Sequence, residues 1–151
     1  MSASKHIQAI LNGTIQSLKS VIPLTMDIKS PSLMVQPFEQ KEMGVLIGII
    51  GDIRGRIIID STADCFSAIG ATMFGMPLEG EMLESFTGEL GNMVAGNLCT
   101  SVAAANGVEI DITPPTVIVG TTKLFGFQHA FKLPVELTGV GELTIILTID
   151  E

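Results

Sequence analysis

Glu89 and Asn92 are two side chains of this 151-residue chain whose types and spacing could do chemistry. They are three residues apart in a segment with helical periodicity, so both project from one surface within reach of one ligand. A carboxylate can hold a partner's cation, and an amide can donate to and accept from a water molecule. The pair could therefore orient a nucleophilic water without a metal or nucleophile of its own, although a solvated polar pair is the ordinary alternative.

The residues around this pair form an unusual helical stripe. With about 100° of rotation per residue, Ser85, Gly88 and Gly96 share the face of the pair. A glycine costs up to about 1 kcal/mol relative to Ala in a helix interior. One explanation is that a glycine lets another element of this chain pack closely, and we prefer it for Gly91, which lies off the stripe. For Gly88 and Gly96 a second explanation is also open, namely that the missing side chain lets another molecule approach the helix backbone. The predicted core face of this helix comprises Leu83, Phe86, Leu90, Met93, Val94, Asn97, Leu98 and Ser101.

Apolar periodicity and turn residues predict the elements that position this helix. Helices are expected over residues 4–22, from a cap at Ser61 or Thr62 to Gly75, and over residues 83–106. The predicted strands are residues 33–38, 43–51, 54–60, 116–121, 125–133 and 139–149. This order indicates an α+β fold, a single-layer and mainly antiparallel sheet of about six strands with three helices packed on one face. A single domain over residues 1–151 is expected.

Two further expectations concern residue types inside these elements. Pro134 should interrupt the strand that begins near residue 125 and limit edge pairing there. The eight methionines are predicted to fill gaps in the core rather than to form a surface. The methionines considered in particular are Met73, Met76, Met82 and Met93.

Composition argues against several classes of partner. Eight Lys and Arg against sixteen Asp and Glu give a net charge of −8, which disfavours binding to nucleic acid or an anionic membrane. No apolar stretch approaches the roughly 20 residues that span a bilayer. The first residues lack the pattern of a secretory signal, so a cytoplasmic protein is expected. Two histidines and two cysteines at unrelated spacings do not predict a zinc site.

The long helix resembles the signature of the CheC/CheX/FliY family of response-regulator phosphatases. That signature is Ser or Asp, three residues, Glu, two residues, Asn, then twenty-two residues and Pro. Ser85, Glu89, Asn92 and Pro115 meet every spacing. The neighbouring segments and the order of elements resemble the CheX type along nearly the whole chain. CheC-type proteins carry a second such helix, but Ala9 stands where the first helix would need its Glu, which implies one active surface per chain.

The resemblance implies a substrate and residue roles. The substrate would be the aspartyl phosphate of a CheY-like receiver, whose own Mg²⁺ and lysine neutralise the phosphoryl oxygens, so this chain would bind no cofactor or metal itself. Asn92 would orient the attacking water, and Glu89 would pair with the receiver's lysine. Ser85 would tune the helix position or contact the partner, and Pro115 would support the helix.

The implied partners are the phosphorylated receiver and a second copy of this chain, paired across a two-fold axis through the sheets. Neither nucleic acid nor a membrane is expected as a partner. Because the acidic chain would repel an acidic receiver at long range, the docking surface is expected to be locally apolar with few charges.

Two other functions stay open. A non-catalytic adaptor could use the same helix to bind a receiver or a flagellar switch component without accelerating phosphate loss. A small-molecule phosphatase is less favoured, because the sequence offers no nucleophile, no basic phosphate cradle and no metal set. The intact signature favours the response-regulator phosphatase.

Overall fold

The computed structural model describes residues 3–34, 37–124 and 130–150, which form three helices and ten strands. The helices are α1 (Ala3–Val21), α2 (Ala63–Phe74) and α3 (Gly80–Asn106). The strands are β1 (Met26–Ile28), β2 (Ser32–Met34), β3 (Phe38–Gln40), β4 (Met43–Gly51), β5 (Gly55–Ser61), β6 (Ile110–Ile112), β7 (Thr116–Val119), β8 (Thr122–Leu124), β9 (Ala130–Leu137) and β10 (Gly141–Ile149). The predicted α+β class and its three helices are confirmed.

The main sheet is built around the long strands β4, β5, β9 and β10. Its strand order is β1-β9-β10-β5-β4-β6, with β2 also paired to β9 and β7 also paired to β4. Every strand pairing among the described residues is antiparallel. The sheet therefore has six positions across, close to the predicted number, but two short strands share each edge position and raise the strand count.

A second, two-stranded sheet of β3 and β8 lies against the face of the main sheet opposite the helices. Phe38 of β3 packs there with Ile58 and Ile146 in a small separate cluster. The single strand predicted over residues 33–38 is instead two strands, β2 and β3, and residues 35–36 between them lie outside the described part. Three-residue strands such as β1, β6 and β8 are too short for apolar periodicity to reveal.

Pro134 lies inside β9, so the predicted interruption of that strand is wrong. Residues 125–129, the first part of the strand predicted there, lie outside the described part. In antiparallel pairs the N–H and C=O groups of one residue point to the same neighbouring strand. The Pro134 carbonyl accepts a hydrogen bond from Lys29 N at 3.0 Å, and Lys29 lies in the break between β1 and β2. The Pro134 nitrogen therefore faces the same break. Because the missing N–H of Pro134 would not point toward β10, the pairing of β9 with β10 loses no hydrogen bond.

The helices pack on one face of the main sheet and bury its inward-facing side chains. Buried members of this core include Ile10, Leu18, Phe66, Ile69, Leu90, Val94, Leu98, Val45, Ile47, Ile57, Ile59, Leu133, Val135, Leu143 and Ile145. Of the two predicted caps, Ser61 and Thr62, it is Thr62 that caps α2, because its hydroxyl accepts the Cys65 N–H at 3.1 Å. Gly75 and Gly107 end α2 and α3 in the left-handed conformation. None of the described helices is both long and apolar enough to cross a membrane.

Buried Asp60 of β5 gives the fold a pH-dependent stability. Burial raises the pKa of this carboxyl from 3.8 to about 6, against the opposing hydrogen bond from the Lys41 backbone N–H at 3.3 Å. The folded state therefore binds more protons than the unfolded state between these values, so the free energy of unfolding falls as pH rises from about 4 to 6. At neutral pH the ionised carboxylate is a buried charge that reduces stability.

We expect Asp60→Asn to raise the free energy of unfolding at pH 7, by as much as about 3 kcal/mol. The amide oxygen keeps an acceptor for the Lys41 N–H but carries no charge. Urea unfolding at pH 4, 5, 6 and 7 should show the difference between variant and wild type growing with pH. A difference that is constant across this range would contradict the assignment.

Candidate active site

Helix α3 presents the predicted stripe on one outward face. Ser85 and Glu89 are exposed, Asn92 and Gly96 are half-buried, and Gly88 is buried. At 1.5 Å per residue, the stripe runs about 16 Å along the helix axis. Glu89 and Asn92 thus lie side by side in the middle of a solvent-accessible helix face.

The buried face of α3 fixes the direction in which the stripe points. An ideal Cβ at Gly91 would lie 2.7 Å and 2.8 Å from the two methyl carbons of Val45, and 3.2 Å from Cδ1 of Ile47. The helix backbone therefore sits directly on strand β4. On the other side, the Ser17 hydroxyl of α1 donates a hydrogen bond to the Val94 carbonyl. This packing agrees with the interpretation preferred for Gly91, close approach of another element of the same chain.

Gly88 serves the same internal purpose, and the structure does not leave its backbone open to a partner. An ideal Cβ there would lie 3.1 Å from Cγ2 of Val117 and 4.0 Å from Cγ of Pro115. Of the two alternatives for this glycine, close packing within the chain is the one observed. The alternative in which a partner approaches the helix backbone at Gly88 is therefore not supported.

Pro115 lies beside the helix, one residue before β7 begins. The turn that carries it is tied to β4, because Thr113 Oγ1 accepts the Gly48 N–H at 2.8 Å and the Thr113 N–H donates to the Gly48 carbonyl at 3.0 Å. Because the φ angle of Pro115 is fixed by its ring and the turn is hydrogen-bonded to β4, the Pro115 ring is held in place next to Gly88. Pro115 thus lies next to the helix, and its supporting role stays a prediction.

Gly96 differs from the other stripe glycine. No atom outside its own stretch of helix lies within 4 Å of an ideal Cβ built there. Nothing in the described chain thus requires a glycine at this position. Close packing within the chain therefore does not explain Gly96, and the approach of another molecule there stays a prediction.

The Glu89 and Asn92 side chains have no hydrogen bond or ion pair with any other described residue. Both are therefore available to a ligand or partner. Within the described ranges, no group of three or more His, Cys, Asp or Glu side chains is arranged to hold a metal ion. What the pair offers is one carboxylate acceptor and one amide that both donates and accepts, held on a rigid helix.

An apolar groove adjoins this pair, between the end of α2 and the first half of α3. It has a volume of about 700 Å³. Its lining residues are Phe74, Met76, Leu78, Glu81, Met82, Ser85, Phe86 and Glu89. Two of them, Ser85 and Glu89, also belong to the stripe, so the groove and the polar pair form one continuous surface.

The prediction that the methionines fill the core holds for some of them and fails for others. Met43 is buried in the main core, and Met26, Met34 and Met73 pack against the buried clusters, whereas Met76, Met82 and Met93 are exposed. Met82 is 62% exposed, Met76 is 54% exposed and Met93 is 38% exposed, and Met73 is half-buried. Asn97 is likewise exposed, so the predicted core face of α3 is too wide by these two residues, Met93 and Asn97. The rotation per residue orders side chains around a helix but cannot say where the buried sector ends.

The first helix carries no second copy of the site. Ala9, at the position where a Glu would be needed, is buried. An ideal Cβ at Gly13 would lie 2.6 Å from Cδ1 of Leu98, so α1 packs tightly on α3. These contacts give α1 a structural role.

Three comparisons with known proteins agree with one another. A family model described as chemotaxis phosphatase CheX matches residues 43–129, more than half of the chain. The chain is 29% identical over 150 residues to the CheY-P phosphatase CheX of Thermotoga maritima, covering 97% of this chain and 96% of that protein.

Two solved structures have a similar fold. The superposition on a CheC-like superfamily protein from Shewanella sp. PV-4 covers all of both chains, with a TM-score of 0.81 at 22% identity. The CheX-CheY-BeF3-Mg²⁺ complex of Borrelia burgdorferi contains a chain with a TM-score of 0.78 at 24% identity, over 96% of this chain and 97% of that one. These likenesses establish the architecture of three helices on an open antiparallel sheet.

Proposed function

Because the chain belongs to the CheX family of chemotaxis phosphatases, we propose that it accelerates hydrolysis of the aspartyl phosphate on a CheY-like response regulator. The observation that carries this proposal is the pair of exposed Glu89 and half-buried Asn92 on a tightly packed helix, with no side-chain partner for either among the described residues. The named activity of the Thermotoga relative and the CheX-CheY complex from Borrelia support the same substrate.

Asn92 is proposed to position the attacking water. Phosphoryl transfer depends mostly on placing the nucleophile in line with the leaving oxygen and on stabilising charge. The amide can accept a hydrogen bond from the water while it donates to a phosphoryl oxygen, and this fixes the water with two contacts. Neutralising the phosphoryl oxygens would fall to the receiver's own Mg²⁺ and lysine, so the chain needs no cofactor for this role.

Glu89 is proposed to fix the docking register by pairing with the receiver's lysine. One helical turn separates it from Asn92, so an ion pair at Glu89 would place the amide at a set distance from the phosphoryl group. Because Glu89 has no cation partner among the described residues, it does not have to break an existing ion pair to engage the lysine.

Glu89→Gln should raise KM for the phosphorylated receiver roughly tenfold, because a charged pair becomes a neutral hydrogen bond at the interface. Initial rates of phosphate release at several receiver concentrations would measure it. Glu84→Gln is the matched control, since it removes one charge about 140° around the same helix from Glu89, outside the groove, and it should leave KM within about twofold. Equal KM increases in both variants would indicate a general charge effect and contradict the ion pair.

The proposed activity is tested directly with receivers from the same genome. Each CheY-like receiver is phosphorylated with a small phosphodonor and Mg²⁺, excess donor is removed, and phosphate release is followed with and without this protein. Release that is faster with this protein supports the proposal. Unchanged release from every receiver contradicts it.

The homodimer expected from the family resemblance stays a prediction. Light scattering on the purified protein should give the mass of two chains, since closed two-fold dimers are the commonest soluble oligomers. A mass of one chain at micromolar concentration would contradict it.

A further inference from the structure

The groove beside Glu89 has no role in the proposed hydrolysis, yet it displays much of the exposed apolar surface of α2 and α3. Phe74 is 61% exposed, and Met76 and Met82 are also mostly exposed. Apolar side chains gathered around a concave surface commonly mark an interaction site, whereas single exposed ones need no explanation.

The groove is held in shape by contacts within the chain. The rings of Phe74 and Phe86 meet edge to face, with centroids 5.8 Å apart and an angle of 87° between planes. The Ser67 hydroxyl donates to the Leu78 carbonyl at 2.7 Å and ties the connecting segment to α2. Leu78 itself is buried against Gly70, where an ideal Cβ would lie 2.6 Å from its Cδ1. The floor of the groove is therefore preformed.

Continuity with the polar pair indicates which molecule occupies the groove. Glu89 and Ser85 line both surfaces, so a receiver engaged by Glu89 must lie over the groove opening. From Met82 to Asn92 the distance along the helix axis is about 15 Å, well within the footprint of one protein partner. Typical specific interfaces bury about 800 Å² on each side. The side chains of Glu89 and Asn92 alone cannot supply that buried area, and the groove provides additional surface for the receiver to cover.

Charge indicates the chemistry of the segment that enters. Glu81 and Glu89 are the titratable residues that line the groove, and its lining contains no Lys or Arg. An occupant that carries acidic groups would be repelled, whereas an apolar side chain next to a Lys or Arg would gain both burial and charge complementarity. The same argument disfavours a second copy of this acidic chain as the occupant.

We propose that this groove binds an apolar side chain of the phosphorylated receiver, next to a Lys or Arg of that receiver that faces Glu81. This inference rests on the proposed function, and it gives the groove a role in receiver binding that is separate from the role of Asn92 in hydrolysis. The groove sets affinity and the choice among receivers, while Asn92 sets the rate of hydrolysis once the receiver is bound.

The test uses Met82→Ser and Glu81→Lys, both on the exposed side of α3. Each should weaken binding of beryllofluoride-activated, Mg²⁺-loaded CheY-like receivers about tenfold by calorimetry and raise KM for phosphate release to a similar extent. Turnover at saturating receiver should stay within about twofold of wild type. Leu33→Ser is the matched control, because Leu33 is 61% exposed outside the groove, and binding should be unchanged.

Binding and turnover together distinguish failure of the inference from failure of the proposed function. If wild type binds a receiver and both groove variants bind it equally well, the inference is overturned, whether or not phosphate release is accelerated. If the groove variants bind more weakly and the control does not, the inference stands even when no acceleration is seen, and the proposed hydrolysis alone fails. Loss of binding in Leu33→Ser as well would overturn the assignment to this groove.

Discussion

Asn92→Ala should remove most of the acceleration of phosphate release and leave receiver binding largely intact. The Ala side chain cannot hold a water, so the attacking molecule loses the contacts that align it with the leaving oxygen. Removing one preorganised hydrogen-bonding group from an active site typically costs about 100- to 1,000-fold in rate. Single-turnover phosphate release from a saturating phosphorylated receiver would measure the loss, and calorimetry on the beryllofluoride-activated form would measure binding.

Asn97→Ala is the matched control for this variant. Asn97 is an exposed asparagine on the same helix but outside the stripe, so its replacement should change neither rate nor affinity by more than about twofold. If wild type binds a receiver without accelerating phosphate release, the adaptor function is the better description. If Asn92→Ala keeps the full rate, the amide does not position the water.

Unfolding cannot produce the expected loss in Asn92→Ala. The Asn92 side chain makes no hydrogen bond with another described residue and is only half-buried. Ala has a higher helix propensity than Asn by several tenths of a kcal/mol. The variant should therefore be at least as stable as wild type, and a thermal melt on the assayed sample would check this.

The sequence predicted the position of the candidate site best, because the residue types at this site also follow the period of the helix. The spacing of Glu89 and Asn92 predicted that both side chains lie on one surface of the helix. They point away from the core because glycine at position 91 lets another face of α3 sit directly on β4. The helix ends at Gly75 and Gly107 were also predictable, since the glycines adopt the left-handed conformation that stops a helix.

Other features depend on partners that are distant in sequence. The three-residue strands at the edges exist because a long neighbouring strand pairs with them, which no local pattern records. Pro134 looked like a break in β9, but its missing donor faces the gap between β1 and β2. Met93 looked like a core residue because the helical period does not show where the buried sector of α3 ends. Met82 was expected in the core only because methionines usually fill gaps there.

Two glycines on the site helix should respond oppositely to the same substitution. At Gly91 an added methyl group would approach both Val45 methyl carbons to under 3 Å, and such overpacking costs about 1 to 3 kcal/mol. At Gly96 the added methyl group meets open space, so the gain in helix propensity, up to about 1 kcal/mol, remains. Urea unfolding should show Gly91→Ala to be less stable than wild type and Gly96→Ala to be more stable.

The stabilised variant also tests how closely a receiver approaches the helix. If the receiver packs over Gly96, the methyl group of Gly96→Ala must raise KM even though the free protein is more stable, because the side chain occupies space that the partner needs. A rise in both stability and KM separates a functional glycine from a merely tolerated one. Higher stability with an unchanged KM would place the receiver farther along the helix, toward Glu89 and the apolar groove, and would remove Gly96 from the docking surface.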